Sequence, residues 1–385
     1  MLAAVKDYRD LAQQRLSRFA FDYLEGGAED GRALLRNRDA YERLQFKPRI
    51  LRDVSSVDAR VEVFGKQQSM PMLVGPTGLN GLYWPRAEEV LAHAANAAGL
   101  PFVMSTASTS LFEDVRAATD GELWLQLYVQ QDRRIAQDVM HRARSAGFST
   151  LMLTVDTVVH GKRDHDVRNG FRMPLPFTPR LAADLLTHPR WCLRMLRQRG
   201  SPQLVNLARS TGLPNAMKVQ AAALSRQMSM SMRWTDIAWL REHWPGRVIV
   251  KGILSVEDAR VALEQGVDGI VLSNHGGRQL DSAPNALELL PAVVAVAGPM
   301  AVFIDGGVRR GSDIVKACAL GAKAVLLGRA PLYGLAASGP TGVSEVLAIL
   351  RDEFEIALRL LGRPQARHLD SSALSADHLD RLCRP

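Results

Sequence analysis

Cysteine is scarce in this chain of 385 residues: Cys192, Cys318 and Cys383 are the only three. They are too few and too widely spaced for a disulfide framework or a zinc site, so no metal centre is expected. Aromatic residues make up only 6% against 47% hydrophobic residues in all, so the core must be built mainly from aliphatic side chains. A membrane-spanning run is also missing. The longest charge-free stretch, Val90 to Phe112, carries His93, Asn96, Gly99, Pro101 and five Ser or Thr residues, which a lipid-facing helix would not tolerate. The N-terminal MLAAVKDYRDLAQQR turns charged at Lys6 without the apolar stretch of a secretory leader, which predicts a cytoplasmic chain.

Acidic residues are in deficit, 40 against 48 Lys and Arg, for a formal net charge of +8. The deficit is local. Between His160 and Ser210 stand ten basic side chains and three acidic ones, which leaves the rest of the chain close to neutral. A nucleic-acid-binding protein is expected to spread a basic stripe over its folded body, so no nucleic-acid partner is predicted.

At roughly 150 residues per domain, the length alone fits two or three domains or one large barrel. Short apolar runs followed by longer amphipathic stretches decide between them, because they mark parallel βα units. Eight such runs occur, at 71–78, 102–108, 123–129, 150–157, 247–254, 269–275, 301–307 and 324–330. Most are almost continuously apolar, as strands covered on both faces should be. Eight units predict an α/β fold, a TIM (β/α)8 barrel, rather than an unusually large open sheet. One domain spanning 1–385 is expected, with a helical cap from the first 65 residues and a long insertion after strand four. The ninety residues between Thr157 and Arg247 exceed any ordinary loop. They contain the basic segment, 174–215, and the delayed fourth helix is expected within 218–244.

In a barrel, polar residues at the C-terminal ends of strands read as ligand-binding or catalytic. IDGGVRRG, 304–311, ends strand seven with exposed glycine N–H groups, adds Arg309 and Arg310 and opens a helix; LLGRA, 326–330, repeats Gly-Arg after strand eight. Either pair alone fits a solvated turn, but together in these two loops they predict a phosphate site. SNHGGRQLD, 273–281, places His275 three residues before Arg278, a general base beside a cation able to grip a carboxylate through two N–H bonds. Asp156, ending strand four, can orient that histidine or cap the next segment, and Arg163 offers a second carboxylate clamp. Lys251 interrupts the apolar run VIVKGIL, where it either pairs a carboxylate or faces developing negative charge. Tyr23 and Tyr128 stand beside glycine-rich loops, where a tyrosine is either core or ligand-facing.

Taken together, SNHGGRQ, DGGVRRGSDIVKACALGA, LEGGAED and GPTGLNG resemble, in order and across essentially the whole chain, the FMN-dependent 2-hydroxy acid dehydrogenases and oxidases. That resemblance implies FMN as cofactor, a homo-oligomer, specifically a tetramer, and oxidation of a 2-hydroxy acid to the 2-oxo acid. It implies His275 as catalytic base, Asp156 as its carboxylate partner, Arg163 and Arg278 as substrate-carboxylate ligands, and Tyr23 and Tyr128 as further substrate contacts. Flavin contacts are implied for Pro76, Thr77, Gly78, Ser105, Gln126, Thr154 and Lys251. The phosphate block is implied for Asp305, Gly306, Gly307, Arg309, Gly328 and Arg329. Gly78 departs from the alanine found in many oxidases of the family, a change beside the flavin that bears on oxygen reactivity. Within the family, GPTGLNG, ALSRQM and the basic insertion are most similar to membrane-associated members that oxidise (S)-mandelate to benzoylformate. A lactate dehydrogenase or a soluble, peroxide-forming oxidase is the alternative.

The insertion carries the last expectation. On a helical wheel over 189–199, Arg190, Arg194 and Arg197 share one side while Trp191, Cys192, Leu193, Met195 and Leu196 fill much of the rest. A basic amphipathic stretch with a tryptophan reads as a membrane-surface anchor, so residues 177–213 are expected to dock on an anionic membrane and pass electrons to a quinone. The location is then the cytoplasmic face of the inner membrane, peripherally bound. A lid or an oligomer contact is the competing reading, which leaves the protein cytoplasmic.

Overall fold

In the computed structural model, which describes residues 2–168, 178–197, 203–212 and 228–376, eight parallel strands close into a barrel. A short antiparallel hairpin, β1 (Val61–Val63) and β2 (Lys66–Gln68), precedes it. The barrel strands are β3 (Met72–Val74), β4 (Phe102–Ser105), β5 (Leu123–Leu127), β6 (Thr150–Thr154), β7 (Arg247–Ile253), β8 (Gly269–Leu272), β9 (Ala301–Asp305) and β10 (Ala324–Leu327). Each falls within one of the eight apolar runs, and β10 closes the ring on β3.

The pleat sorts alternate side chains to two cores. Leu73, Val103, Trp124, Met152, Ile249, Val271, Phe303 and Leu326 point inward and fill the barrel. Their neighbours, such as Met72, Phe102, Leu125, Leu151, Val250, Ile270 and Val302, point outward and are covered by the helices. Burying each Val, Leu or Ile contributes about 1.5–3 kcal/mol, which explains why both faces of every strand read as apolar.

The hairpin's strands are only three residues long, below the length at which alternation shows in a sequence. It plugs the N-terminal mouth: the Phe64 ring lies 5.8 Å from Trp124 and 5.9 Å from Phe303. The helices of the first 43 residues do not sit at that end. Arg18–Glu25 leads into the Gly26–Gly27 turn, which meets the loop after β8 at the opposite, C-terminal mouth, where Ala28 N donates to Gly277 O at 2.8 Å.

The delayed fourth helix is present as Asp236–His243. The first part of its expected span, including ALSRQ at 223–227, lies outside the described residues. Within the insertion, helices Pro179–Thr187 and Pro189–Arg197 dock on the N-terminal helices: Asp184 accepts from Arg18 N at 2.9 Å, and Trp191 meets Phe19 edge-on at 5.4 Å.

This docking corrects the helical wheel. Trp191 is only 6% exposed, and its Nε1 donates to Leu82 O at 2.9 Å. With Met195 one turn on, it forms an inner apolar stripe, and Arg194 lies over the Trp84 ring at 4.6 Å. The tryptophan is therefore a peg into the protein body. The outward apolar residues are Leu186, Leu193 and Leu196, at 82%, 50% and 73% exposure. An apolar stripe on each side of one helix left the wheel ambiguous, and burial of the bulkiest residue resolved it.

Candidate active site

A cavity of about 610 Å³ opens at the C-terminal mouth of the barrel. The residues expected to bind substrate or flavin all line it, Asp156 stands directly behind His275, and Arg310 turns away to pair with Glu353. The convergence follows from the barrel itself, since parallel strands deliver the residues after their last turn to one rim.

The His275 ring is held from behind. Its Nδ1 is 2.9 Å from Asp156 Oδ1, and Thr157 Oγ1 donates to the same carboxylate oxygen at 3.0 Å. A carboxylate accepts only, so it fixes the imidazole proton on Nδ1 and leaves the Nε2 lone pair facing the cavity, 3.4 Å from Tyr128 OH. Burial works against the Asp156 charge, but its interaction with the His275 ring and with the Lys251 ammonium outweighs that cost and holds its pKa down at about 2. The carboxylate and the support it gives are complete above its ordinary pKa of 3.8 and are lost only as pH falls toward about 2.

Backbone geometry makes this approach possible. The β7 to β8 register slips between Lys251 and Ile253. At the slip, Gly252 adopts φ +111°, and a Cβ there would lie 2.7 Å from the Asp156 Cβ. His275 itself adopts φ +59°, in the left-handed region, followed by Gly276 and Gly277 at +61° and +75°. A non-glycine residue there is uncommon and marks a conformation enforced by its surroundings. Those surroundings are hydrogen bonds: His275 N donates to Ser273 Oγ at 3.0 Å, and Gly277 N donates to Asn274 Oδ1 at 3.1 Å. The last residue of the SNHGGRQ motif has a positioning role that the sequence did not reveal. Gln279 Nε2 donates to Asp156 O at 2.9 Å and Val159 O at 2.8 Å, tying the histidine loop to the aspartate loop.

The side of the cavity next to Tyr23 is cationic. The Arg278 and Arg163 guanidinium carbons lie 5.0 Å and 5.6 Å from the Tyr23 ring centre. Arg278 also donates to Gly26 O at 2.8 Å, and Arg163 is 3.7 Å from Asp166. Burial, with Arg163 beside it, lowers the pKa of Arg278. Two neighbouring guanidiniums repel each other, and an anion placed between them relieves that repulsion.

Across the floor runs a row of polar side chains from adjacent strands. Ser105 Oγ donates to Gln126 Oε1 at 2.8 Å, and Gln126 Nε2 donates to Thr154 Oγ1 at 2.9 Å. Lys251 stands next in the row, 3.0 Å from Asp305 Oδ2, and donates to Ser273 Oγ at 2.8 Å. Burial opposes its charge, but Asp305 and Asp156 more than offset that cost and raise its pKa.

Beyond Asp305, Gly306 and Gly307 turn at φ +90° and +84°, and the helix Gly311–Ala319 begins. Two buried atoms of this region, Asp305 Oδ1 and Arg309 Nε, have no protein partner, although such atoms are almost always satisfied. Acceptors, donors and positive charge thus converge on space that a flavin ring and a phosphate fit. Arg329 differs from the expected phosphate ligand in where its guanidinium goes: it donates to Leu24 O at 3.0 Å, Gly276 O at 2.9 Å and Gly26 O at 2.8 Å. It fastens the N-terminal turn to the histidine loop while bringing its charge to the cavity.

Comparison with known proteins settles the family. The model of the FMN-dependent dehydrogenases matches residues 12–376. This chain belongs to the FMN-dependent dehydrogenase family. FMN is therefore its cofactor, in agreement with the orphaned polar atoms of the cavity. Among related dehydrogenases, (S)-mandelate dehydrogenase of Pseudomonas putida is 50% identical over 375 residues, covering 97% of this chain and 93% of that protein. L-lactate dehydrogenase of Alcaligenes faecalis is 38% identical over 375 residues, covering 97% and 99%. The crystal structure of the monotopic membrane protein (S)-mandelate dehydrogenase superposes with TM-score 0.94 at 49% identity, covering 97% of this chain and 99% of that one. A mandelate oxidase superposes with TM-score 0.82 at 34% identity, covering 97% and 98%.

Proposed function

We propose that this dehydrogenase oxidises an (S)-2-hydroxy acid, foremost (S)-mandelate, to the 2-oxo acid, benzoylformate, and passes the electrons to a membrane quinone. The observation that carries the chemistry is the His275–Asp156 pair, with Nε2 facing a cavity that also holds two arginines across Tyr23. Arg278 and Arg163 bind the substrate carboxylate. Tyr128 OH, beside Nε2, hydrogen-bonds the reacting hydroxyl. Holding the acid at two ends replaces a chance encounter by a fixed orientation, worth several kcal/mol of barrier. His275 Nε2 takes up a proton of the hydroxy acid, and Asp156 stabilises the imidazolium that results. Ser105, Gln126, Thr154 and Lys251, with Pro76, Thr77 and Gly78, would hold the flavin ring, and Gly306, Gly307, Arg309 and Gly328 its phosphate, with the charge of Arg329 beside them; Asp305, an anion paired with Lys251, would accept from the cofactor elsewhere than at the phosphate. When bound, FMN supplies the acceptor for the two electrons leaving C2. Lys251 keeps positive charge where negative charge grows.

Mandelate leads over lactate because the relative that oxidises it is 50% identical and the lactate dehydrogenases 38–40%. Gly78 supports a dehydrogenase over an oxidase: an added Cβ would lie 3.0 Å from the Ala107 Cβ, so the alanine of many oxidases fits here only if Ala107 gives way. Turnover with (S)-mandelate is expected to reduce a quinone or dye with little peroxide; stoichiometric peroxide with no quinone reduction would favour the oxidase.

The same reading places the protein, a homo-oligomer, on the cytoplasmic face of the inner membrane through residues 177–213. No helix among the described residues is long and apolar enough to cross a membrane. The basic insertion supplies attraction of roughly 1 kcal/mol per cation near anionic lipid, and Leu186, Leu193 and Leu196 supply the apolar contact. Replacing those three leucines with serine is expected to shift the protein from sedimenting with phosphatidylglycerol vesicles to the supernatant. Unchanged sedimentation would exclude this face. Deleting the whole segment is a poorer test, since Trp191 and Leu204 would be lost from the protein body with it.

A further inference from the structure

We infer that the basic insertion also reads the substrate, and that Leu204, where it returns to the barrel, determines specificity for the group on C2. The inference rests on the cavity accepting a 2-hydroxy acid and adds which residues select among such acids. His275, Arg163, Arg278 and Tyr128 form the polar side of the cavity; Leu79, Ala107, Leu204 and Met228 contribute apolar surface. Two of these four come from the long excursion between β6 and β7.

Leu204 is held firmly in this wall. With Leu207 and Ala107 it forms a small apolar cluster separate from both barrel cores, against which Leu79 and Ile135 pack. The next turn is locked by Asn206, which is fully buried. Its Nδ2 donates to Ser108 Oγ at 2.9 Å and Ser110 O at 2.8 Å, and its Oδ1 accepts from Arg142 Nη2 at 3.1 Å. Met228, at the far end of the excursion, is fixed by Ser229 N donating to Val129 O at 2.9 Å. A side chain locked by packing and hydrogen bonds discriminates shape where a mobile one would adapt.

Packed on Ala107 and sharing the cavity wall with Gly78, Leu204 bounds the apolar part of the cavity, the space open to a group on C2. An aryl or branched alkyl group on C2 fills that space and gains dispersion contacts with the leucine, whereas a methyl group leaves it without partners. Size selection of this kind is worth roughly tenfold or more per missing contact group.

The test is the ratio of kcat/KM for (S)-mandelate to that for (S)-lactate in the FMN-loaded protein, its Leu204→Ala and Leu204→Met variants, and Met228→Ala. Leu204→Ala is expected to lower the ratio about tenfold, Leu204→Met to recover most of it, and Met228→Ala to move it in the same direction. A merely structural role would lower both constants together and leave the ratio in place. An unchanged ratio in Leu204→Ala, or in Met228→Ala should the first variant fail to fold, would overturn the inference while leaving the dehydrogenase reading intact. A wild-type protein that oxidises neither acid would overturn that reading and the inference with it.

Discussion

His275→Ala is expected to retain FMN and its yellow colour yet lose flavin reduction by substrate, with a rate lower by on the order of 10² to 10⁴. The geometry separates the two properties. The Nε2 lone pair is the basic group facing the cavity from the end of β8, and Asp156 and Thr157 hold the ring from behind. The polar row from Ser105 to Lys251, proposed to hold the flavin, does not pass through the histidine side chain; Lys251 bonds to Ser273 and Asp305. The backbone at 275 lies at φ +59°, so alanine there adds strain to the loss of the base. His275→Asn is the cleaner companion, because asparagine accepts the left-handed region, and it should fold with wild-type stability while reducing as slowly. Rapid reduction in an anaerobic stopped-flow trace of either variant would remove the base assignment. The Asp156 carboxylate, ionised down to about pH 2, should contribute no acid limb to the reduction rate in the range where the protein is folded.

Arg278→Lys is expected to weaken binding of a 2-hydroxy acid by about tenfold to a hundredfold while leaving FMN in place. A guanidinium presents two parallel N–H groups to a carboxylate and lies flat on an aromatic ring; an ammonium does neither. In this cavity Arg278 uses one N–H on Gly26 O and lies over Tyr23, so the shorter, rounder lysine head must leave one of these to reach the substrate. The loss of one charge-assisted hydrogen bond costs about 1.5–3 kcal/mol. Anaerobic titration of the variant with mandelate checks this, and an unaltered dissociation constant would reassign the carboxylate site to Arg163 alone.

The parts legible in the sequence were those with a repeating or chemically singular signal. Eight apolar runs sufficed for the barrel because a strand buried on both faces must be apolar throughout. Strand-end residues such as Lys251 and His275 were visible because a polar group in such a run needs a reason. The rest was hidden for definite causes. The Phe64 hairpin is too short to show a period. Gln279 and Thr157 act through contacts across loops 118 or more residues apart in sequence, as in the bond of Gln279 to Gly161 N and of Thr157 to the His275 ring. A helical wheel turns Trp191 toward lipid because it shows faces but not which face is covered. Leu204 gave no signal at all, since one leucine in an amphipathic segment looks like any other.

The chemistry at the centre of the account is tested most directly by mixing the FMN-loaded protein with each enantiomer of mandelate under anaerobic conditions and following the flavin absorbance through one turnover. (S)-mandelate is expected to bleach the flavin completely, with one benzoylformate formed per FMN, and (R)-mandelate to leave it yellow. A flavin that stays oxidised with (S)-mandelate and with (S)-lactate would contradict that chemistry.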